Sequence, residues 1–350
     1  MTEFKIAEVP ADVRALHDGA VVVDAHHDIL LHVENRRRAG ERGVLASFWG
    51  PQLMAGGVDV QVFPIYVQSD YMPELSLRQT LRCVEAFWRD LEDDPGPFLP
   101  ACSFAEIQGA LCENKIGALL ALEGMEGLGY DLEFLSLFYR LGVRVASLTW
   151  NRRTAFADGA GETATGGGLT HLGRAAIEEM DRLGMLIDLA HLSERGFWDA
   201  IGLSKNTVVA SHAAVYSLVN HPRNLHDDQI RALADTDGVI GLMFHPAVIG
   251  PACPNVARAV DHIAYIADLV GIEHVGLGSD FMTFVLEVSG TYARQAMMSQ
   301  AILESTVEGL EQVGQLPNIT AEMKARGFRD DEIRLVLGGN FLRVFKEILA

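Results

Sequence analysis

Eight short runs rich in Val, Ile and Leu recur along the chain, separated by longer segments with helical periodicity: residues 21–25, 58–67, 116–123, 143–150, 183–191, 208–212, 239–244 and 274–280. Runs that are apolar on both faces suit the strands of a parallel sheet, because crossover helices cover each side of it. Eight such strands in a chain of 350 residues predict a TIM-type (β/α)8 barrel, which needs about 250 residues plus insertions. A doubly wound open sheet is the alternative. No repeat with a period of 20–50 residues and no Pro/Ser-rich linker divides the chain, so one domain over residues 1–350 is expected. Its surplus falls in an N-terminal lead, an insertion at 68–101 and helices after Thr283. Helices are expected at 76–93, 170–183, 255–270 and 293–313, with Ser76 and Thr170 as candidate N-caps and Gly184 as a stop.

Composition narrows the function classes. Hydrophobic residues at 49% and charged residues at 21% are a globular balance and leave no room for extensive disorder. Lys and Arg number 28 against 47 Asp and Glu, a formal charge of −19 that repels phosphate backbones and anionic lipid. No nucleic-acid or membrane partner is expected. The first residues lack a basic flank followed by an apolar run, so a cytoplasmic protein is expected. The uncharged stretch 238–257 contains Pro246, Pro251, Pro254 and His245, and reads as a buried strand entering a loop. Cys83, Cys102, Cys112 and Cys253 show no CxxC spacing and are expected to be reduced, mostly buried thiols.

Position carries more information than composition. Six of the eight runs place an ionisable side chain at or just after their C-terminal end: Asp24–Asp28 (DAHHD), Glu123 (LALEG), His191 (IDLAH), His212 (VVASH), His245 (MFH) and Asp280 (GLGSD). In a barrel those ends converge on one rim, the rim that carries catalytic residues. Imidazole and carboxylate are together the ligand set of Zn²⁺ and similar ions. His26 and Asp28 form an H-x-D pair, and His191 and His212 stand on consecutive strands. Five ligands exceed the needs of one tetrahedral zinc and suggest two metals with Glu123 as the bridge, since a carboxylate in so apolar a strand is costly unless coordinated. Asp280, surplus to that count, is assigned as general base and then acid, with a metal-bridging hydroxide as nucleophile. No lysine ends the fourth run, so a modified-lysine bridge has no candidate there. Arg223, in NHPRN, is a candidate for holding a substrate carboxylate. His27 should point away from the ligands, and His262 and His274 fit helix and loop surfaces.

The segments DAHHD, LEG at Glu123, GLTHLGRAAIEEMDRLGMLIDLAHLS, ASHAAVYSLVNHPRN and DHIAYIADLVGIEHVGLGSDF, in that order, resemble the membrane (renal) dipeptidase family of zinc metallopeptidases, within the amidohydrolase superfamily. The resemblance runs from about Val21 to Phe345. It implies two zinc ions, one on His26 and Asp28, the other on His191 and His212, bridged by Glu123, with Asp280 handling protons and Arg223 contacting substrate. It also implies hydrolysis of dipeptides, including those with a C-terminal D-residue, and a homodimer. Two positions depart from the family pattern. Trp150 stands where founding members carry a histidine associated with the oxyanion, and His245 stands where an aromatic hydroxyl is expected; both are taken as substrate-binding. An amidase or deacylase acting on N-acyl amino acids or small cyclic amides, and a non-catalytic metal-binding barrel, are the rival readings. The lipid anchor and disulfides of secreted mammalian members are not expected here.

Overall fold

Runs dominated by β-branched side chains cannot bury both faces in isolation, so each must pair with a neighbour on either side. In the computed structural model, which describes residues 4–250, 252, 254–281 and 306–349, they do so as β1 (Val22–Asp24), β2 (Val58–Tyr66), β3 (Phe98–Pro100), β4 (Ile116–Glu123), β5 (Val143–Ser147), β6 (Leu186–Asp188), β7 (Val208–Ala213), β8 (Val239–Leu242) and β9 (Val275–Leu277). Every pairing within this sheet is parallel. The ring closes because β2 lies against β4 over seven residue pairs, from Val60↔Gly117 to Tyr66↔Glu123, while Asp24 of β1 pairs with Leu277 of β9. Eight strands thus form a closed parallel barrel with interleaved helices, and the open-sheet alternative falls. β3 is an addition of three residues that pairs only with the first half of β4.

Alternate side chains along the strands separate into two clusters. Val60, Val62, Leu119, Ala121, Val145, Val209 and Val239 gather with Phe341 and Phe345 of the helix Asn340–Ile348. Phe63, Ile65, Leu120, Leu122 and Ile187 instead face the surrounding helices. The final helix therefore packs against the beginnings of the strands and leaves their other ends for chemistry. Burying side chains of this size contributes about 1.5–3 kcal/mol each, so the frame that carries the rim is held from both sides.

Local signals fare unevenly. Thr170 accepts from the Gly173 N–H and caps the helix His171–Leu183, which ends at Gly184 in a left-handed turn with φ 69°. Ser76 is not a cap: Leu75 occupies that position, and the Ser76 hydroxyl donates to the Pro73 carbonyl. Most of the expected helix 293–313 lies outside the described residues; its end at 306–313 forms bridges, a bend and a short 3-10 turn rather than an α-helix. His262 and His274 are buried, not superficial. His262 accepts from the Val215 N–H and contacts the Ile249 carbonyl, and His274 contacts the Gly238 carbonyl, so both tie loops to the frame. Of the cysteines, Cys83 is buried, Cys102 half-buried and Cys112 exposed, and Cys253 lies outside the described residues. No helix among the described residues is long and apolar enough to cross a membrane.

Candidate metal centre

All strands run the same way, so all their C-terminal ends meet on one rim. Glu123 is the last residue of β4, level with Tyr66 of β2 and Ser147 of β5. His26 and Asp28 follow β1, His191 follows β6, His212 lies within β7 and Asp280 follows β9. Two of these residues sit in backbone conformations that side chains other than glycine rarely adopt, His191 at φ 68° and Asp280 at φ 49°. Such strain persists only where the surroundings fix it, and it concentrates at functional sites.

Five side chains converge. Glu123 Oε1 is 2.9 Å from His191 Nε2, 3.6 Å from His26 Nε2 and 3.8 Å from His212 Nε2, and His26 Nε2 is 4.0 Å from Asp28 Oδ1. Their ligating atoms form two triads that share Glu123, His26–Asp28–Glu123 and Glu123–His191–His212, with the atoms of each triad within 4.8 Å of one another. A third grouping adds Asp188 to His26 and His212.

The positions of the ring hydrogens limit what this arrangement can hold. His191 Nδ1 lies 2.8 Å from the Asn151 Oδ1 acceptor and so carries the ring hydrogen, which leaves Nε2 bare. His212 Nδ1 lies 2.8 Å from Ser211 Oγ, whose own hydrogen goes to Asp188, so His212 Nε2 is bare as well. The two Nε2 atoms stand only 2.7 Å apart and face Glu123 Oε1. With no ring hydrogen between them, the two imidazole lone pairs repel unless a cation, or a proton on Glu123, lies between. His26 Nε2, Asp28 Oδ1 and Glu123 Oε2 are likewise buried without a hydrogen-bond partner among the described residues, a costly state for polar atoms. The donor set and its orphaned atoms fit a pair of divalent ions.

Electrostatics points the same way. Burial drives the Asp28 and Glu123 carboxyls well above the usual range, reinforced for Asp28 by Asp280 and for Glu123 by Asp28 and Asp280. Burial also drives the imidazoles of His26, His191 and His212 well below theirs, with the Arg223 charge adding to the effect at each. Nearby cations would return the carboxylates to their charged form.

A family model described as membrane dipeptidase (Peptidase family M19) matches residues 11–295 and 300–350. The chain belongs to that family. Among membrane dipeptidase relatives, dipeptidase tcpJ of Claviceps purpurea is 30% identical over 308 residues, covering 85% of this chain and 68% of its own length. Dipeptidase aclJ of Aspergillus oryzae is 30% identical over 310 residues, covering 85% and 69%. A metallopeptidase from Rhodobacter sphaeroides, solved with a phosphinate mimic of the dipeptide L-Ala-D-Ala, superposes with a TM-score of 0.82 at 25% identity over 94% of this chain and 99% of that one. The barrel is therefore that of a dipeptidase-class hydrolase whose family works with metal.

Around the membrane dipeptidase cluster the other sequence candidates take different places. Arg223 is buried, donates from Nη2 to the His212 carbonyl at 3.2 Å and leaves Nε without a partner among the described residues. Burial brings its pKa down to about 10, while Glu123, Asp280 and Asp188 hold it up. Asp280 is pushed up to about 6 by burial, with Arg223 opposing. Trp150 stands beside the centre, its ring 5.9 Å from that of His191. His245 caps the short helix Pro246–Ile249 by accepting from the Ala247 N–H, and burial lowers it to about 4. The ring of His27 packs edge-on against Trp49 and Phe281, away from the ligands as expected. Sequence reasoning missed Tyr66, Glu126 and Arg152. The Arg152 guanidinium donates to Glu126, Ser69 and the Val67 carbonyl, and lies over the rings of Trp150 and Tyr66 at 5.1 and 5.4 Å. Tyr66 ends β2 just as Glu123 ends β4, and that shared position is the signal that would have found it.

Proposed function

We propose that this chain hydrolyses dipeptides, including those with a D-residue on the C-terminal side, at two zinc ions that share Glu123, one held by His26 and Asp28 and the other by His191 and His212. The observation that carries the reading is the meeting of two bare imidazole nitrogens and a Glu123 carboxyl oxygen with no ring hydrogen between them. The likeness to the Rhodobacter sphaeroides enzyme with its L-Ala-D-Ala mimic supports the substrate class. When bound, the ions would polarise the scissile carbonyl and make hydroxide available near neutral pH.

The remaining work belongs to the chain. Asp280, buried on the same rim, takes the proton of the attacking water and passes it to the leaving amine. Arg223, already fixed by the His212 carbonyl, turns its spare N–H groups to the substrate carboxylate. Trp150, flanked by Tyr66 and Arg152, forms a wall beside His191, and His245 borders the Arg223 side. The homodimer implied by the resemblance belongs to the same reading, and light scattering on the purified chain tests it.

The deciding experiment assays the zinc-loaded protein on L-L and L-D dipeptides beside N-acyl amino acids and small cyclic amides, with a metal count on the same sample. Turnover of dipeptides with about two zinc ions per chain is expected. Turnover confined to N-acyl or cyclic substrates would replace this reading with the amidase one, and a metal-loaded but inert protein would make it a binding barrel.

A further inference from the structure

Two polar arrangements beneath the metal centre repeat each other. On one side Asp24, the last residue of β1, accepts from the Ser279 N–H at 2.8 Å, from the Ser279 hydroxyl at 2.6 Å and from the His26 N–H at 3.4 Å. On the other, Asp188, the last residue of β6, accepts from the Ser211 N–H at 2.8 Å, from the Ser211 hydroxyl at 2.5 Å and from the Ala190 N–H at 3.0 Å. The register is the same in both. Asp24 pairs with Leu277 and Asp188 with Val209, and each clamping serine stands two residues beyond that partner. All four residues are buried.

We propose that these are a duplicated clamp, with Asp24, Ser279, Asp188 and Ser211 as positioning residues for the chemistry above; the inference rests on the metal reading. Each pair adds a side-chain join between adjacent strands at the point where the chain must diverge to deliver ligands. Each serine is followed at once by a working residue, Asp280 after Ser279 and His212 after Ser211. Each aspartate precedes a ligand, His26 after Asp24 and His191 after Asp188. In the first clamp the Asp280 N–H also donates to the His26 carbonyl at 2.9 Å, which ties the proton carrier to a ligand.

The second clamp also sets a tautomer. The Asp188 carboxylate takes the Ser211 hydroxyl hydrogen, so Ser211 Oγ is left to accept from His212 Nδ1 at 2.8 Å, which keeps Nε2 bare for a cation. The same oxygen stands 3.5 Å from His26 Nδ1, so one hydroxyl borders histidines assigned to different ions. Asp188→Asn keeps the shape but turns an N–H₂ toward Ser211. The hydroxyl hydrogen then points to His212 Nδ1 and moves the ring hydrogen to Nε2, where it blocks the ligand.

The test measures zinc affinity by competition with a chromophoric chelator, zinc count, kcat and KM for a dipeptide, and melting by circular dichroism. For Asp188→Asn and for Ser211→Ala we expect zinc affinity to fall about 10–100-fold, with kcat recovered in excess zinc. The double variant should bind zinc no more weakly than the poorer single one, because both act through the same hydrogen bond. Ser279→Ala should lower kcat on the order of 100-fold through misplacement of Asp280, with KM changed less than kcat. If Ser211→Ala does not fold, Asp188→Asn decides the relay alone. Losses that multiply in the double variant, or Ser279→Ala at the parent kcat, would overturn the clamp while leaving the metal reading intact. A parent protein that holds no zinc would overturn both.

Discussion

Glu123 carries two opposed demands. Without a cation burial sets its carboxyl against ionisation beside two bare imidazole nitrogens, and with cations it would serve as the carboxylate common to the two triads. Glu123→Gln separates these demands, because the amide has the same size, no charge and an N–H₂ that can donate to a bare Nε2. We expect the zinc-free variant to melt above the zinc-free parent, since the amide donates to a bare Nε2 and replaces a carboxyl whose charged form burial makes costly. The zinc-treated variant should hold at most one ion per chain and lose about 1,000-fold or more in kcat/KM, a change of several kcal/mol. Calorimetric melting with elemental analysis checks both halves. Asp280→Asn should behave in the opposite way. Asp280 lies outside the two triads, so zinc is retained at the parent count while kcat falls about 10²–10⁴-fold, the usual worth of a placed acid–base group. Loss of zinc in that variant would make Asp280 a ligand instead.

At the level of strands and turns, the approach of β7, β8 and the turn after β9 is tight enough that glycine is required. A methyl group on Gly278 or on Gly241 would overlap the Ser211 carbonyl. Gly278→Ala is therefore expected to cost about 1–3 kcal/mol by overpacking and to weaken zinc binding by displacing Ser211, read from denaturant midpoints and chelator competition. These contacts also show why some of the site was legible in the sequence and some was not. The barrel could be read because strands buried on both faces are continuous apolar runs, and the cluster because parallel strands deliver their ends to one rim. β3 could not, since three residues ending in proline carry no strand pattern. The roles of Asp24 and Asp188 were hidden although both lie in quoted motifs: their serines stand 255 and 23 residues away, and only the register of the closed ring brings them together. His262 read as superficial because its helix is amphipathic, yet its ring accepts a loop N–H 47 residues back.

On the scale of the whole molecule, an acidic chain of net charge −19 would draw cations toward a rim where burial sets the candidate ligands unequally. The three imidazoles are held neutral well below their ordinary range, so near neutral pH they bring no proton that zinc must displace. Asp28 and Glu123 are in the reverse position, since burial raises them and the zinc-free protein keeps a proton on the pair at a pH where free carboxylic acids have lost theirs. Metal ligands must be deprotonated to bind, so zinc has to expel that proton and its affinity must grow as pH rises through the raised carboxyl range. A site limited by ordinary histidines would behave differently, with proton release fading above their usual pKa of about 6.5. Titration calorimetry of zinc into the stripped protein, in two buffers of different ionisation enthalpy at pH 7 and above, counts the protons directly. We expect the parent to release more protons per zinc than Glu123→Gln, which lacks the Glu123 carboxyl; equal release from parent and variant would move the source away from Glu123 and onto Asp28 or zinc-bound water.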